Sequence, residues 1–496
     1  MGFAMKYSLG PAMLTVALVF SSAAFSQTIT LSPKAGPPTG SITVSGSGFS
    51  AHAAVDLYFD TADQALAIAS GSGAFSSIAI EVPASALPGT HWVSAVQRSN
   101  DTGAQVAFTV FSNWTQFHFA PSHKAFDVYE NVLSPSTVSG MDIKWSYPTK
   151  GYVYSSPAIV NGTLYAGSID NNMYAIKTST GALLWQRATG SQVYSSPTVI
   201  NGVVYFGSDD NKIYALNAST GATVWTYTTG AAVQSSPTVV NGVLYVGSFD
   251  NNIYAIETSN GSLLWTVPTG ALVFSSPAVV NGVIYVGSND GKVYALGLDG
   301  TKLWTYTADA AVSSSPVVAN GVVYVGSMDS NLYALNANTG ALLWSFHTGN
   351  PVLSSPAVAN GVVYVGAYNN NVYALNGRNG NVLWSYATGG AVESSPAYAN
   401  GVLYVASLDN NVYALDATSG TPLWSYSTGF MVEGSPAIAS GTVYIGSDDN
   451  KIYAFGLTNG MGPMQPSGAP DMRTLHPNFG LAPSLPGATL AGSDDQ

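Results

Sequence analysis

The sequence predicts an all-β protein: an eight-bladed β-propeller of four-stranded antiparallel blades, preceded by a small β-sandwich. Three observations predict it. Tryptophan recurs at 145, 185, 225, 265, 304, 344, 384 and 424, always 39 or 40 residues apart. The proline of a Ser-Pro pair (157 to 436) and a Tyr-Ala pair (174 to 453) keep the same interval, eight times each. Between these markers, short apolar runs alternate with Ser, Thr, Asn and Gly, the pattern of short strands joined by tight turns.

In chain order, the first element is a secretory signal peptide over residues 1–26. Lys6 precedes the apolar run PAMLTVALVF and the small residues SSAAFS, with Ala24 and Ser26 suited to the positions before a cut. The protein is therefore expected to be exported, periplasmic or extracellular. No other stretch is apolar enough to span a bilayer. The chain has no cysteine, which excludes disulfides, thiolate metal sites and a lipid-modified N-terminal Cys, so a lipoprotein is not expected.

Residues 27–112 hold the segments TITLSP, GSITVSGSGF, AVDLYF, AFSSIAIEVP, THWVSAVQ and AQVAFTVF, separated by Gly, Pro, Ser and Asn. This is the pattern of a β-sandwich. The stretch PKAGPPTGSITVSGSGFSAHAAVDLYF (33–59) resembles the opening of IPT/TIG-type immunoglobulin-like domains, which implies a spacer or adhesion module. Residues 113–140 read as a linker. His118 and His123 fall in it with Pro121 between them, and both are expected to be solvated rather than metal ligands.

Residues 141–457 carry the repeat. In the copy VQSSPTVVNGVLYVGSFDNNIYAIETSNGSLLW (233–265), VQSSPTVV is the expected first strand (A). Asn241-Gly242 suits a type I′ turn, which needs positive φ at both central residues. VLYVGS (B), IYAIET (C) and SLLWTV (D) follow, separated by Asp-Asn-Asn and Ser-Asn-Gly turns. Four strands in about forty residues make a propeller blade. The first Trp strand (142–148) precedes any Ser-Pro element, and the last Tyr-Ala strand (451–455) has no Trp strand after it. The two are expected to pair and close a ring of eight, which removes the exposed edges.

The segments ALNASTGATVW (215–225), ALNANTGALLW (334–344) and ALDATSGTPLW (414–424) match the tryptophan-docking motif, and the array resembles the pyrroloquinoline quinone (PQQ)-type eight-bladed propellers. The resemblance implies that Trp145, Trp185, Trp225, Trp265, Trp304, Trp344, Trp384 and Trp424 are structural, each packed between blades. It implies two functional classes: PQQ- and calcium-dependent dehydrogenases, and non-catalytic protein-binding propellers like the outer-membrane assembly lipoprotein. The dehydrogenases usually carry long insertions between blades and often a vicinal Cys pair; this chain has neither. From Leu457 onward, Pro and Gly without periodicity predict a disordered tail over 458–496.

Composition narrows the function. Charged residues are only 8% and the net charge is −12, so nucleic acid is not expected as a partner. The recurrent Asp at 170, 210, 250, 290, 329, 409 and 449 is explained by turn chemistry. His347 is the only His in the array, and no Ser-His-Asp pattern exists. No catalytic residue, cofactor or metal is expected; PQQ and calcium enter only under the dehydrogenase alternative, with Glu393 or Glu433 as calcium ligand and base.

The fold acts equally on every blade, so positions that differ between blades are either released from it or recruited elsewhere. The inner position of strand A reads Tyr154, Tyr194, Gln234, Phe274, Ser313, Leu353, Glu393 and Glu433 around the ring, with Tyr152 two residues before the first. The position before the turn Asp includes Phe249, Met328 and Tyr368. B–C turns and D–A connections share one propeller face. That face is the expected binding site for a protein or an extended ligand, on a chain expected to be a monomer.

Overall fold

The computed structural model describes residues 26–458 and 468–475; apart from Ser26, the expected signal peptide lies outside them. Among the described residues there is no α-helix, only two three-residue 3-10 turns beside the strands. None is a helix long and apolar enough to cross a membrane.

Two sheets share one core near the N-terminus. Thr28–Ser32, Ser41–Ser47 and Phe75–Glu81 form the first; Ala35–Gly36, Thr102–Val110, Gly89–Gln97, Ala54–Phe59 and Ala62–Ile68 form the second. Alternation decides which side faces in: Ile29, Leu31, Ile42 and Val44 are buried, and they meet Leu57, Phe59, Val93 and Phe108 from the opposite sheet. Part of the expected disordered tail returns here. Residues Met472–Thr474 form a 3-10 turn, Leu475 is buried against Tyr58 and Val96, and Gln105 Nε2 donates to the Pro470 carbonyl at 2.7 Å. The correction has a simple cause: Met472 and Leu475 are apolar anchors inside a Pro/Gly-rich stretch.

Eight further sheets form the ring. The blade containing the quoted repeat uses Thr238–Val240, Val243–Gly247, Asn252–Glu257 and Leu263–Pro268. Its first turn has positive φ at Asn241 (51°) and Gly242 (80°), as a type I′ hairpin requires. Strands B and C are buried on both faces because each blade is sandwiched by its neighbours. Tyr245, Ile253 and Ala255, for example, share a cluster with Ile284, Val286 and Tyr294 of the next blade. The ring closes in an antiparallel sheet built from both ends of the array: Met141–Pro148 pairs with Lys451–Leu457, Trp145 opposite Ala454.

Strand A is shorter than expected, three residues in the ladder instead of eight. The Ser-Ser-Pro segment before it bonds between blades instead. The N–H of Ser156 donates to Ser196 Oγ at 2.9 Å, and the same bond runs on through Ser236, Ser276, Ser315, Ser355, Ser395 and Ser435. Ser435 N–H then donates to Ser156 Oγ at 3.2 Å. Eight serines thus form a closed hydrogen-bonded ring around the channel, satisfying buried N–H groups that the ladder leaves free. Each tryptophan adds an outer bond. Trp185 Nε1 donates to the Ala218 carbonyl at 2.9 Å and Trp225 to that of Thr258 at 2.8 Å, each in the next blade. A turn glycine lies against every docking ring except that of Trp424 and must stay bare: a Cβ on Gly221 (φ +68°) would sit 2.8 Å from the Trp185 ring.

Residues 112–130 are not a solvated linker. They line the inner edges of the blades and close one end of the channel. The carbonyls of Thr115, Pro121, Ser122, Lys124 and Ala125 accept from the N–H groups of Val199, Val279, Val318, Val358 and Tyr398, one per blade. Trp114 bridges Ile159, Phe126–Asp127 adds a parallel fifth strand beside Ala397–Ala399, and Ser112 bonds Ser440. Strand A is an inner edge with unpaired N–H groups, and this plug caps them. His118 and His123, expected to be solvated, are 2% and 1% exposed. His123 Nδ1 lies 3.2 Å from the Pro316 carbonyl and its Nε2 3.2 Å from Thr238 Oγ1; His118 Nδ1 lies 3.1 Å from the His123 carbonyl. Burial holds His123 down to about 4 and His118 well below its usual range.

Candidate binding face at the open channel mouth

The plug meets strand A at its C-terminal end, next to the A–B turns. The blade-specific residues lie at the other end: Tyr154 is five residues before Ile159, roughly 16 Å along an extended chain. One mouth of the channel is sealed and the opposite one carries the variable side chains.

The turn aspartates form the frame of this mouth. Asp250 Oδ2 accepts from the Tyr254 hydroxyl at 2.6 Å and from Gly230 N–H at 2.7 Å, while Oδ1 accepts from Asn252 N–H at 3.0 Å. Each such carboxylate ties the D–A connection to the B–C turn of one blade, and its oxygens are used by protein donors, except Asp449 Oδ1, which has no partner. In the sixth blade Asn369 replaces it, donating to the Thr348 carbonyl.

Many of the variable positions pair across blades. The residue before the turn Asp meets the inner strand A residue of the next blade, 24 or 25 positions on. Gln234 Nε2 donates to Asp209 Oδ2 at 3.0 Å, Ser313 Oγ to Asn289 Oδ1 at 2.9 Å, and the Tyr368 hydroxyl to Glu393 Oε2 at 2.6 Å. Phe249 and Phe274 rings lie 6.3 Å apart. Part of the variation is therefore inter-blade complementarity: polar meets polar and aromatic meets aromatic. Tyr154 and Tyr194 stack at 5.1 Å and 6°, and Tyr152 packs edge-on against Tyr154 at 6.0 Å.

What pairing leaves over falls into two groups. Tyr152 (37% exposed), Phe274 (40%) and Met328 (43%) present apolar surface, joined by Phe430 (43%), whose ring lies 6.2 Å from Tyr152. Phe430 stands where the other blades have Gly, Ser, Ala or Asn, so the same comparison between blades identifies it. The second group is acidic. Burial, then the charges of Glu393 and Asp448, pushes Glu433 up to about 8. Burial, then Glu393 and Asp449, pushes Asp448 up to about 7. Glu393 is raised by burial against the opposing bond from Tyr368. Asp448 was not among the predicted site residues, although it stands at the same variable position before the turn Asp as Phe249, Met328 and Tyr368.

The closed ring of eight docked blades defines a propeller of the quinoprotein-like repeat class. The family model described as outer membrane protein assembly factor BamB matches residues 133–239, 228–318, 298–393 and 329–462, and the chain belongs to that family. Among solved structures, BamB from Moraxella catarrhalis matches with a TM-score of 0.57 at 17% identity, covering 64% of this chain and 99% of that one. Quinohemoprotein alcohol dehydrogenase from Comamonas testosteroni gives 0.62 at 15% identity, covering 72% and 82%. A europium-containing methanol dehydrogenase gives 0.60 at 14%, covering 70% and 98%. At these identities the likeness shows the shared fold alone. No curated protein matches the chain in sequence.

Proposed function

We propose that this is an exported, non-catalytic envelope scaffold that binds a protein or an extended ligand at the open mouth of its propeller, as a monomer. One observation carries the reading: apolar side chains at Tyr152, Phe274, Met328 and Phe430 stay exposed around one mouth, while the other mouth is filled by the chain's own residues. Exposed apolar groups on turns are costly and cluster where partners dock. Membership of a family described as an outer membrane assembly factor supports an envelope role. The N-terminal sandwich, in this reading, is an immunoglobulin-like spacer of the IPT/TIG type.

The alternative is a PQQ- and calcium-dependent dehydrogenase, favoured by the acidic group at the mouth and by the fold shared with quinoprotein enzymes. The donor set does not fit. Among the described residues no group of three His, Cys, Asp or Glu could hold one metal ion. The reading predicts that purified protein given PQQ and calcium shows no bound quinone spectrum and no dye reduction with alcohols or aldose sugars. A bound quinone with substrate-dependent dye reduction would overturn it.

A further inference from the structure

Asp448 is 2% exposed, and neither of its carboxylate oxygens has a hydrogen-bond partner. Such a group is costly to bury unless something reaches it. Its charge acts on Tyr154 and Tyr194 of the first two blades and on Glu433 of its own, and Glu393 acts on it in turn. All four are inner strand A residues, and the pairing seen in Asp209–Gln234 and Tyr368–Glu393 puts Asp448 beside the inner strand A residue of the first blade, Tyr154. Every charge that raises Glu433 or Asp448 is negative; Asp449 and Asp209 add to the same field at the rim. Beside the carboxylates stands the parallel Tyr154–Tyr194 pair, whose ring faces attract cations.

We propose that the open mouth takes a cationic side chain, foremost an arginine guanidinium, from a basic segment of a partner polypeptide, held by Asp448, Glu433 and Glu393 beside the Tyr154–Tyr194 stack. This rests on the reading of the mouth as a binding face and names the chemistry it recognises. A planar guanidinium offers five donors to separated carboxylates and stacks on phenol rings. A metal ion needs ligands that converge on one point, and the carboxylates here do not gather into such a set. The exposed Phe274 and Met328 then cover apolar residues flanking the cation in the segment. Protons held by Glu433 and Asp448 near neutrality leave as the cation enters, so binding tightens as pH rises.

The test is calorimetric titration of the full chain with the peptide acetyl-Gly-Arg-Phe-Arg-Gly-amide and with its citrulline counterpart, which has the same shape without the charge. The arginine peptide should bind at least tenfold more tightly, and its affinity should rise at least tenfold from pH 6 to pH 9. Asp448→Asn with Glu433→Gln should abolish both differences; each variant removes charge at nearly constant shape, and near-UV circular dichroism reports whether the fold is retained. Equal binding of the two peptides overturns the proposal, as does stoichiometric displacement of the arginine peptide by micromolar calcium, which marks a metal site. No arginine preference, with partner capture still dependent on Phe274 and Met328, sinks the cation inference alone. Capture indifferent to those two residues, with the preference intact, sinks the protein-docking reading instead.

Discussion

The Trp424 indole donates to the Met141 carbonyl at 2.9 Å, across 283 residues of chain. The other seven docking tryptophans bond to a carbonyl 33 residues ahead, in the next blade. Trp424 makes the same contact to the strand that begins the array, so it fastens the ring shut. Trp424→Phe keeps most of the ring volume but leaves the buried Met141 carbonyl without its donor. It should cost about 1–2 kcal/mol, and Trp424→Ala about 3–5 kcal/mol. Urea unfolding checks both; a Phe variant as stable as the parent would show that the closing bond contributes nothing.

The serine ring predicts a second loss. Ser435 Oγ accepts the N–H of Ser395 at 3.0 Å in a buried site. Ser435→Ala strands that N–H and should cost about 1–3 kcal/mol, measured by thermal or urea denaturation. Substituting the exposed Ser419, in a C–D turn outside the ring, should change stability by less than about 0.5 kcal/mol.

Acid should loosen the plug. His123 has a folded value of about 4, and burial also holds His118 well below its usual range, against about 6.5 in an unfolded chain. The unfolded state therefore binds more protons through this interval, and stability falls as pH drops from about 6.5 towards 4. Protonation of Asp127, Glu433 and Asp448 works in the opposite direction over the same interval, so the histidine contribution is read as a difference: from pH 7 to pH 5 the denaturation midpoint of the parent should drop relative to that of His118→Phe with His123→Gln. Equal slopes would mean the histidines do not govern the plug.

Glu433 acts with the opposite sense. Its folded value of about 8 lies above the ordinary carboxylate range. The folded state holds the proton longer, so stability is lost as pH rises from about 4.5 to about 8. Glu433→Gln should remove that loss. At pH 9 it should raise the Tm by roughly 2–4 °C, corresponding to about 1 kcal/mol; at pH 4 the two proteins should melt together. A variant less stable than the parent at pH 9 would contradict the assignment.

Blade number, strand order and closure were legible in the sequence because the ring imposes one pattern eight times, and positions such as Trp185 and Asn241-Gly242 repeat with it. The plug was not legible. It occurs once and reads as a loop, because its carbonyls pair with the inner edges of separate blades rather than with a neighbouring strand. Its composition held the only signal: Trp114, Phe117, Phe119 and Phe126 are too many aromatics for a solvated linker. The serine ring was visible as a repeated Ser-Ser pair, but a strand pattern alone does not reveal that its donors point to the next blade. At the mouth, comparison between blades overstated the freedom of the variable residues, since Gln234, Phe249 and Tyr368 vary in step with partners across the blade boundary.

The central claim is that the open mouth is the working face. Phe274 and Met328 are exposed there, and neither carries the serine ring, the tryptophan docking or the plug. The direct measurement is partner capture from an envelope extract by the parent and by Phe274→Ser with Met328→Ser, quantified alongside Tm. The account predicts at least a tenfold loss of the captured partner with a Tm within about 2 °C of the parent. Undiminished capture by the double variant would contradict it.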